Sequence, residues 1–438
     1  MAVVVPFCAM RFGPDAGNPE KLVCPPYDII SEEERLGYLA ENEHNIIRLE
    51  LPREGENPYL VAGQLQDRWL RDGILKIDKK PAVYVYEIEF KAGNETKKIN
   101  GIICRVRLEE FSKGIVLPHE ETLTKAKADR LNLMKATGSN FSQIYSLYND
   151  TSLETADVID RFVAVNAPKE VINGPDGLIH RLWIIDDENL TALITKQFAS
   201  RKLYIADGHH RYETAINYRN YLYETKMAAP GDDCDYIMMM LVRMDHPGLV
   251  VFPTHRIVRG IENFDVNSVF EKCGDDFDIT PISDAAKAQK ALDEGYKAGK
   301  TVFAVVHGDK ENRKFTLMTY KGALVPEETL SGSRALRGLD VSILHSMVLE
   351  KAFGIDKANM ASQKNLTYTR DFDEAVNSVG LDGVNCSIII NPTRVDEIRD
   401  VAAASEKMPQ KSTYFYPKLI TGMVMNKITK KLKSLKGI

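Results

Sequence analysis

The chain has 438 residues, of which 44% are hydrophobic and 27% charged, and its formal net charge is −5. That length exceeds one ordinary core and points to two domains or three, while the globular composition argues against disorder. The acidic balance excludes a general attraction to nucleic acid.

The opening MAVVVPFCAMRFG reads as a first strand, because no basic region precedes its apolar run and no small-residue cleavage site follows. RFGPDAGNPEKLVCPPYDII is an ordered irregular segment, punctuated by proline and glycine. Ser31 before Glu32, Glu33 and Glu34 predicts a capped helix start. YLVAGQLQDRWLRD predicts a helix ending at Gly73. PAVYVYEIEF alternates like a half-buried strand, with KKINGIICRVRLEEF as its neighbour across the AGNET turn. A helix is expected over Thr122 to Ala136, and SQIYSLYN, Leu182 to Ile185 and CDYIMMMLVRM read as strands. A further helix is expected over Leu190 to Ala199, and PGLVVFPTHRIVRG reads as one more strand. From Glu262 a helix–strand rhythm begins, with KFTLMTY and CSIIINP as strands. LDVSILHSMVLEKAFGI reads as a helix stopped by Gly354, and Tyr414 to Tyr416 as a strand. The lysine-rich tail NKITKKLKSLKGI reads as a solvated helix end.

Six scattered cysteines, Cys8, Cys24, Cys104, Cys234, Cys273 and Cys386, form no CxxC pair and no metal-ligand spacing. A reducing cytoplasm tolerates that pattern. No window approaches 18 apolar residues, so a cytoplasmic protein without a membrane partner is expected.

KLYIADGHHRYET, residues 202–214, sets Asp207, Gly208, His209, His210 and Arg211 between an apolar run and a helical stretch. With Asp207 as N-cap and Gly208 allowing close approach, the helix amides and Arg211 make an anion site. Adjacent histidines differ by about 100° in direction, so His209 and His210 cannot share one metal, and zinc would need His119 or Asp207. A plain capped helix with surface histidines is the remaining alternative. In LPHEET, Glu120 suits a general base or a magnesium ligand, or simply an acidic helix start. Lys411, Ser412 and Thr413, with Lys418 beyond, suit carboxylate or phosphate oxygens, or a polar loop. In CPPYD the prolines fix Tyr27 and Asp28, and Cys24 lacks a basic neighbour to make it a nucleophile. GxxxxGK[ST], GxGxxG and GxSxG are all missing, so any phosphate cradle is of another kind.

CPPYD, NIIRLELP, PHEET, DRLNLMKAT, ADGHHRYETA and MPQKSTYFYPKLITG, in this order, resemble the bacterial and archaeal domain of unknown function 1015 family. DGHHR with a separate HE element is similar to the free-serine kinases of the ParB/sulfiredoxin-like fold. The resemblance implies an α/β (α+β mixed) chain. Its expected parts are a nucleotide-binding core with large insertions over 1–258 and a C-terminal α/β domain over 259–438 that contributes the MPQKSTYFYPK loop. It also implies a kinase that moves a phosphoryl group from ATP or ADP to free L-serine. Glu120 would then activate the hydroxyl, and Asp207, Gly208, His209, His210, Arg211 and Thr214 would line the phosphate site, with Asp207 and His210 catalytic. Mg²⁺ would sit near Asp207 or Glu120. His119, Lys411, Ser412 and Thr413 are the residues expected to hold the amino acid. A nucleotide and a small amino acid are the expected partners, nucleic acid is not, and a homodimer is compatible with the sequence. Two alternatives stay open: a non-catalytic nucleotide-binding regulator of ParB type, and a metal-dependent hydrolase using His119, Glu120, Asp207 and His210.

Overall fold

A computed structural model describes residues 1–93, 95–120 and 124–428, with the backbone alone at 124–126. The lysine tail beyond Ile428, the helix start expected at Thr122 and Asn94 of the AGNET turn lie outside the described residues. The chain divides into two compact units. The first takes Met1–Pro118, Thr122–Leu249 and Pro417–Ile438, and the second His119–Glu121 and Val250–Tyr416. The division differs from a single border after 258 for a physical reason. Val250–Phe252 pairs with Tyr414–Tyr416, and the chain then returns to the first unit through bridges Cys24–Thr421 and Met10–Met425.

The first unit is built on nine strands: β1 (Val4–Val5), β2 (Val83–Ala92), β3 (Glu95–Arg107), β4 (Val116–Leu117), β5 (Ile144–Tyr148), β6 (Glu170–Asn173), β7 (Ile179–Ile185), β8 (Leu203–Asp207) and β9 (Tyr236–Arg243). Their order is β4-β8-β5-β9-β3-β2-β7-β6, with β1 added to β3. The sheet is mixed: β8 with β4 and β9 with β5 run parallel, and the other pairs antiparallel. The expectation that PAVYVYEIEF is half-buried is corrected. Val83 to Tyr86, Ile88 and Phe90 are all buried, so both faces of β2 are covered. Two helices matter for the site, α1 (Thr124–Thr137) and α2 (His209–Glu224). They lie side by side, with Lys127 on α1 paired to Glu213 on α2 at 2.7 Å. Ser31 caps its helix in a full capping box with Glu34, as its sequence predicts.

In the second unit, PGLVVFPTHRIVRG breaks at Pro253 into two strands, because proline cannot donate to a ladder. The second of these, β10 (His255–Arg259), joins β11 (Phe277–Ile282), β12 (Val302–Gly308), β13 (Arg313–Tyr320), β14 (Leu366–Thr369) and β15 (Val384–Ile389). Their order is β11-β13-β12-β15-β10-β14, antiparallel throughout. The helix–strand rhythm read from Glu262 is therefore present, but its strands pair without parallel crossovers. One side of the sheet packs Val258, Phe303 and Ile388 against Leu344 and Val348. Those two belong to a π-helical stretch, Leu344–Phe353, which Gly354 ends at φ +69°. Among the described residues no helix is long and apolar enough to cross a membrane.

Candidate functional site

Leu203, Ile205 and Ala206 bury β8 in the first unit's sheet, and the chain turns at Gly208 into α2. Gly208, at φ +96°, is the helix N-cap and has no side chain to cap α2 with. Asp207 is thus the end of a strand and not the cap expected of it. Its carboxylate is taken by two cations: Lys418 Nζ lies 2.5 Å from Oδ1, and Arg211 Nη2 2.7 Å from Oδ2. Burial alone would raise the Asp207 carboxyl. Lys418 and Arg211 outweigh it and hold the group far below the usual carboxylate range. Arg211 is fixed a second time, donating 2.8 Å to the Gln143 carbonyl. Part of the guanidinium fork expected to grip phosphate is therefore committed to the protein, which orients the rest. The trio carries one net positive charge at the positive end of α2.

Residues far apart in sequence wall this turn. Arg130 of α1 lies over the Tyr27 ring at 4.1 Å and donates 2.7 Å to the Glu50 carbonyl. The buried Glu50 carboxylate accepts from Ser142 at 2.9 Å and stands 3.7 Å from Arg130. Burial raises the Glu50 carboxyl, against the fields of Arg130 and Arg211. Burial likewise pushes Tyr27 up to about 12, opposed by Arg211. His210 is half-buried and shifted down, first by desolvation; Glu213 and Asp28 pull the other way. In its neutral form the ring can both donate and accept. Tyr27, Asp28, Glu50, Lys127, Arg130 and Gln143 escaped assignment from sequence. The available signal was a charge set in an apolar run, as Glu50 is in NIIRLELP.

One expected residue takes other work. Thr214 is wholly buried, its hydroxyl 3.5 Å from the Lys127 carbonyl, so it packs α2 on α1 rather than lining a phosphate site. Cys24 is wholly buried beside Glu50, and both effects raise its thiol, which fits an inert packing role. His209 is buried, and its field helps keep Asp207 ionised.

The HE element meets the MPQKST loop within the second unit. Glu120 pairs with Met408 in a parallel bridge, and Met408 N–H donates 2.7 Å to the His119 carbonyl. His119 Nε2 lies 3.0 Å from Thr413 Oγ1. The Lys411 N–H donates 3.2 Å to Glu120 Oε1. Ser412 is buried and donates 2.5 Å to the Pro409 carbonyl, so its hydroxyl closes the loop and does not face a substrate. Lys411 stands at φ +56°, a left-handed conformation that costs a side chain on the order of 1 kcal/mol.

Asp207 does not fit a magnesium ion as a ligand, since each of its oxygens already faces a cation. No group of three His, Cys, Asp or Glu is arranged to hold a metal among the described residues.

The fold is thus a mixed α/β architecture, with ADGHHR at the Gly208 turn of the first unit and the HE element beside MPQKST in the second. The chain belongs to the family described as protein of unknown function (DUF1015), whose family model matches residues 4–342. No curated protein matches the sequence. Among solved structures it is similar to a mutant free serine kinase in complex with AMP, with 12% identity and a TM-score of 0.37 over 74% of this chain and 91% of that one. A second mutant free serine kinase, in complex with ADP, gives the same identity, TM-score and coverage. SbnI with a C-terminal truncation, from Staphylococcus aureus, is 11% identical, with a TM-score of 0.35 over 74% of this chain and 86% of that one.

Proposed function

We propose that this protein is a nucleotide-dependent phosphotransferase that moves the terminal phosphoryl group of ATP or ADP to a small hydroxyl amino acid, free L-serine first. One observation carries this: Lys418 and Arg211 converge on an ionised Asp207 at the start of α2, whose N-cap is Gly208. Pre-oriented cations and main-chain N–H groups are what a transferring phosphoryl group requires. The acceptor oxygen attacks the terminal phosphorus while a carboxylate takes its proton. The bond to the leaving nucleotide breaks with its electron pair, giving ADP from ATP or AMP from ADP. Glu120 is the proposed base, worth about 10²–10⁴-fold, and the Lys411 N–H donates to its Oε1 at 3.2 Å.

Incubation of the purified protein with L-serine, magnesium and ATP or ADP is expected to yield phosphoserine, read by phosphorus NMR. If every phosphoryl group in a panel of nucleotides and hydroxyl amino acids stays in place, the proposal fails. Lys418→Ala is expected to lower kcat/KM about 100-fold, mostly through nucleotide binding. Glu120→Gln should lower turnover about 10²–10⁴-fold and keep nucleotide affinity; full activity in that variant would remove Glu120 from the role and leave Asp28 as the carboxylate beside His210. Tight nucleotide binding without turnover in the wild type would instead support a regulator.

A further inference from the structure

Arg256 on β10 is wholly buried, and among the described residues none of its hydrogen-bond partners is a carboxylate. It donates through Nη1 to the Thr254 carbonyl, and through Nη2 to the Lys411 carbonyl at 3.1 Å and to His345 Nε2 at 3.2 Å. A guanidinium only donates, so His345 accepts at Nε2 and carries its ring proton on Nδ1. Arg256 Nε has no acceptor, and no carboxylate pairs with this side chain among the described residues. A buried cation with neutral partners is a poor source of stability. Its position calls for another cause, and Lys411 supplies one. A lysine at φ +56° persists only where its surroundings over-determine it. Both of its backbone groups are held: the carbonyl by Arg256, the N–H by Glu120 Oε1 at 3.2 Å.

We propose that Arg256 is a positioning residue: by pinning the Lys411 carbonyl it fixes the residue whose N–H holds the Glu120 carboxylate, and so sets how that carboxylate is presented. This deepens the proposed function and rests on Glu120 acting there as base. Two variants and two readouts test it. Arg256→Met removes the charge and every donor at similar length; Arg256→Lys keeps the charge but not the fork. Amide hydrogen exchange over residues 408–413 needs no activity, and in Arg256→Met it is expected to quicken about ten-fold with the thermal midpoint unchanged. In the same variant kcat for phosphoryl transfer is expected to fall about 100-fold with the nucleotide KM unchanged, and Arg256→Lys to recover part of it. The acid limb of the pH–rate profile should move to higher pH, because a carboxylate that loses an N–H donor binds its proton more tightly. A merely structural arginine would leave that limb where it is. Wild-type exchange over 408–413 in Arg256→Met overturns the proposal. Loss of the fold in both variants does so too, since Arg256 would then be holding the unit together. Faster exchange in a protein that transfers no phosphoryl group would keep Arg256 as the holder of Glu120 and sink the kinase reading alone.

Discussion

Asp207 sets the charge balance of the turn, and its removal separates two effects. Asp207→Asn leaves Lys418 and Arg211 facing each other without their anion, in a side chain of which only 20% meets solvent. A loss of about 2 kcal/mol is expected, below the figure for a fully buried pair. The pH dependence has a definite sign. The folded-state carboxyl is shifted down, so its contribution is fully present above the ordinary value of about 4 and disappears as acid protonates it below that. Acid unfolding followed by circular dichroism should therefore be steeper in the wild type than in Asp207→Asn. An identical acid limb in both would show that Asp207 is not held ionised. At this scale the sequence was partly legible. Asp207 to Arg211 are contiguous, so their convergence needs only a turn. Glu50, Arg130 and Gln143 reach the same place from three separate elements, and no local pattern encodes that. Thr214 and Ser412 were misassigned because a hydroxyl beside a motif looks the same whether it faces a ligand or the backbone.

Among the elements, the start of α2 depends on one glycine. A Cβ at Gly208 would lie 3.0 Å from both Nε and Nη2 of Arg211, at a φ of +96° that side chains rarely adopt. Arg211 cannot swing aside without leaving Asp207 and Gln143. Gly208→Ala is expected to cost about 1–2 kcal/mol in thermal unfolding and about ten-fold in nucleotide affinity by calorimetry. An unchanged affinity would mean that the turn does not touch the nucleotide. Long apolar runs made the central strands readable, and CDYIMMMLVRM became β9 as expected. Pairing direction was not readable, because the same apolar run serves a parallel or an antiparallel neighbour. The split at Pro253 was signalled by the proline itself.

For the whole molecule, the chain passes between its two units more than once, and the last passage decides the first unit. Residues after Pro417 bring Lys418 to Asp207, Thr421 to Cys24 and Met425 to Met10. A chain ended at Tyr416 is expected to melt in two steps in scanning calorimetry, the first unit well below the second, whereas Lys418→Ala alone should leave one wild-type-like profile. Equal melting of the shortened and full chains would show that the returning segment does not complete the core. This return was not legible in the sequence, because nothing in PKLITG marks which earlier strand it will meet.

Synthesis runs from the N-terminal side, so Lys418 leaves the ribosome some two hundred residues after Asp207. Until then the nascent protein displays Asp207 without its second cation, and the pocket of charge around Gly208 is unfinished. Partial products released early would therefore lack the Lys418–Asp207 ion pair by construction.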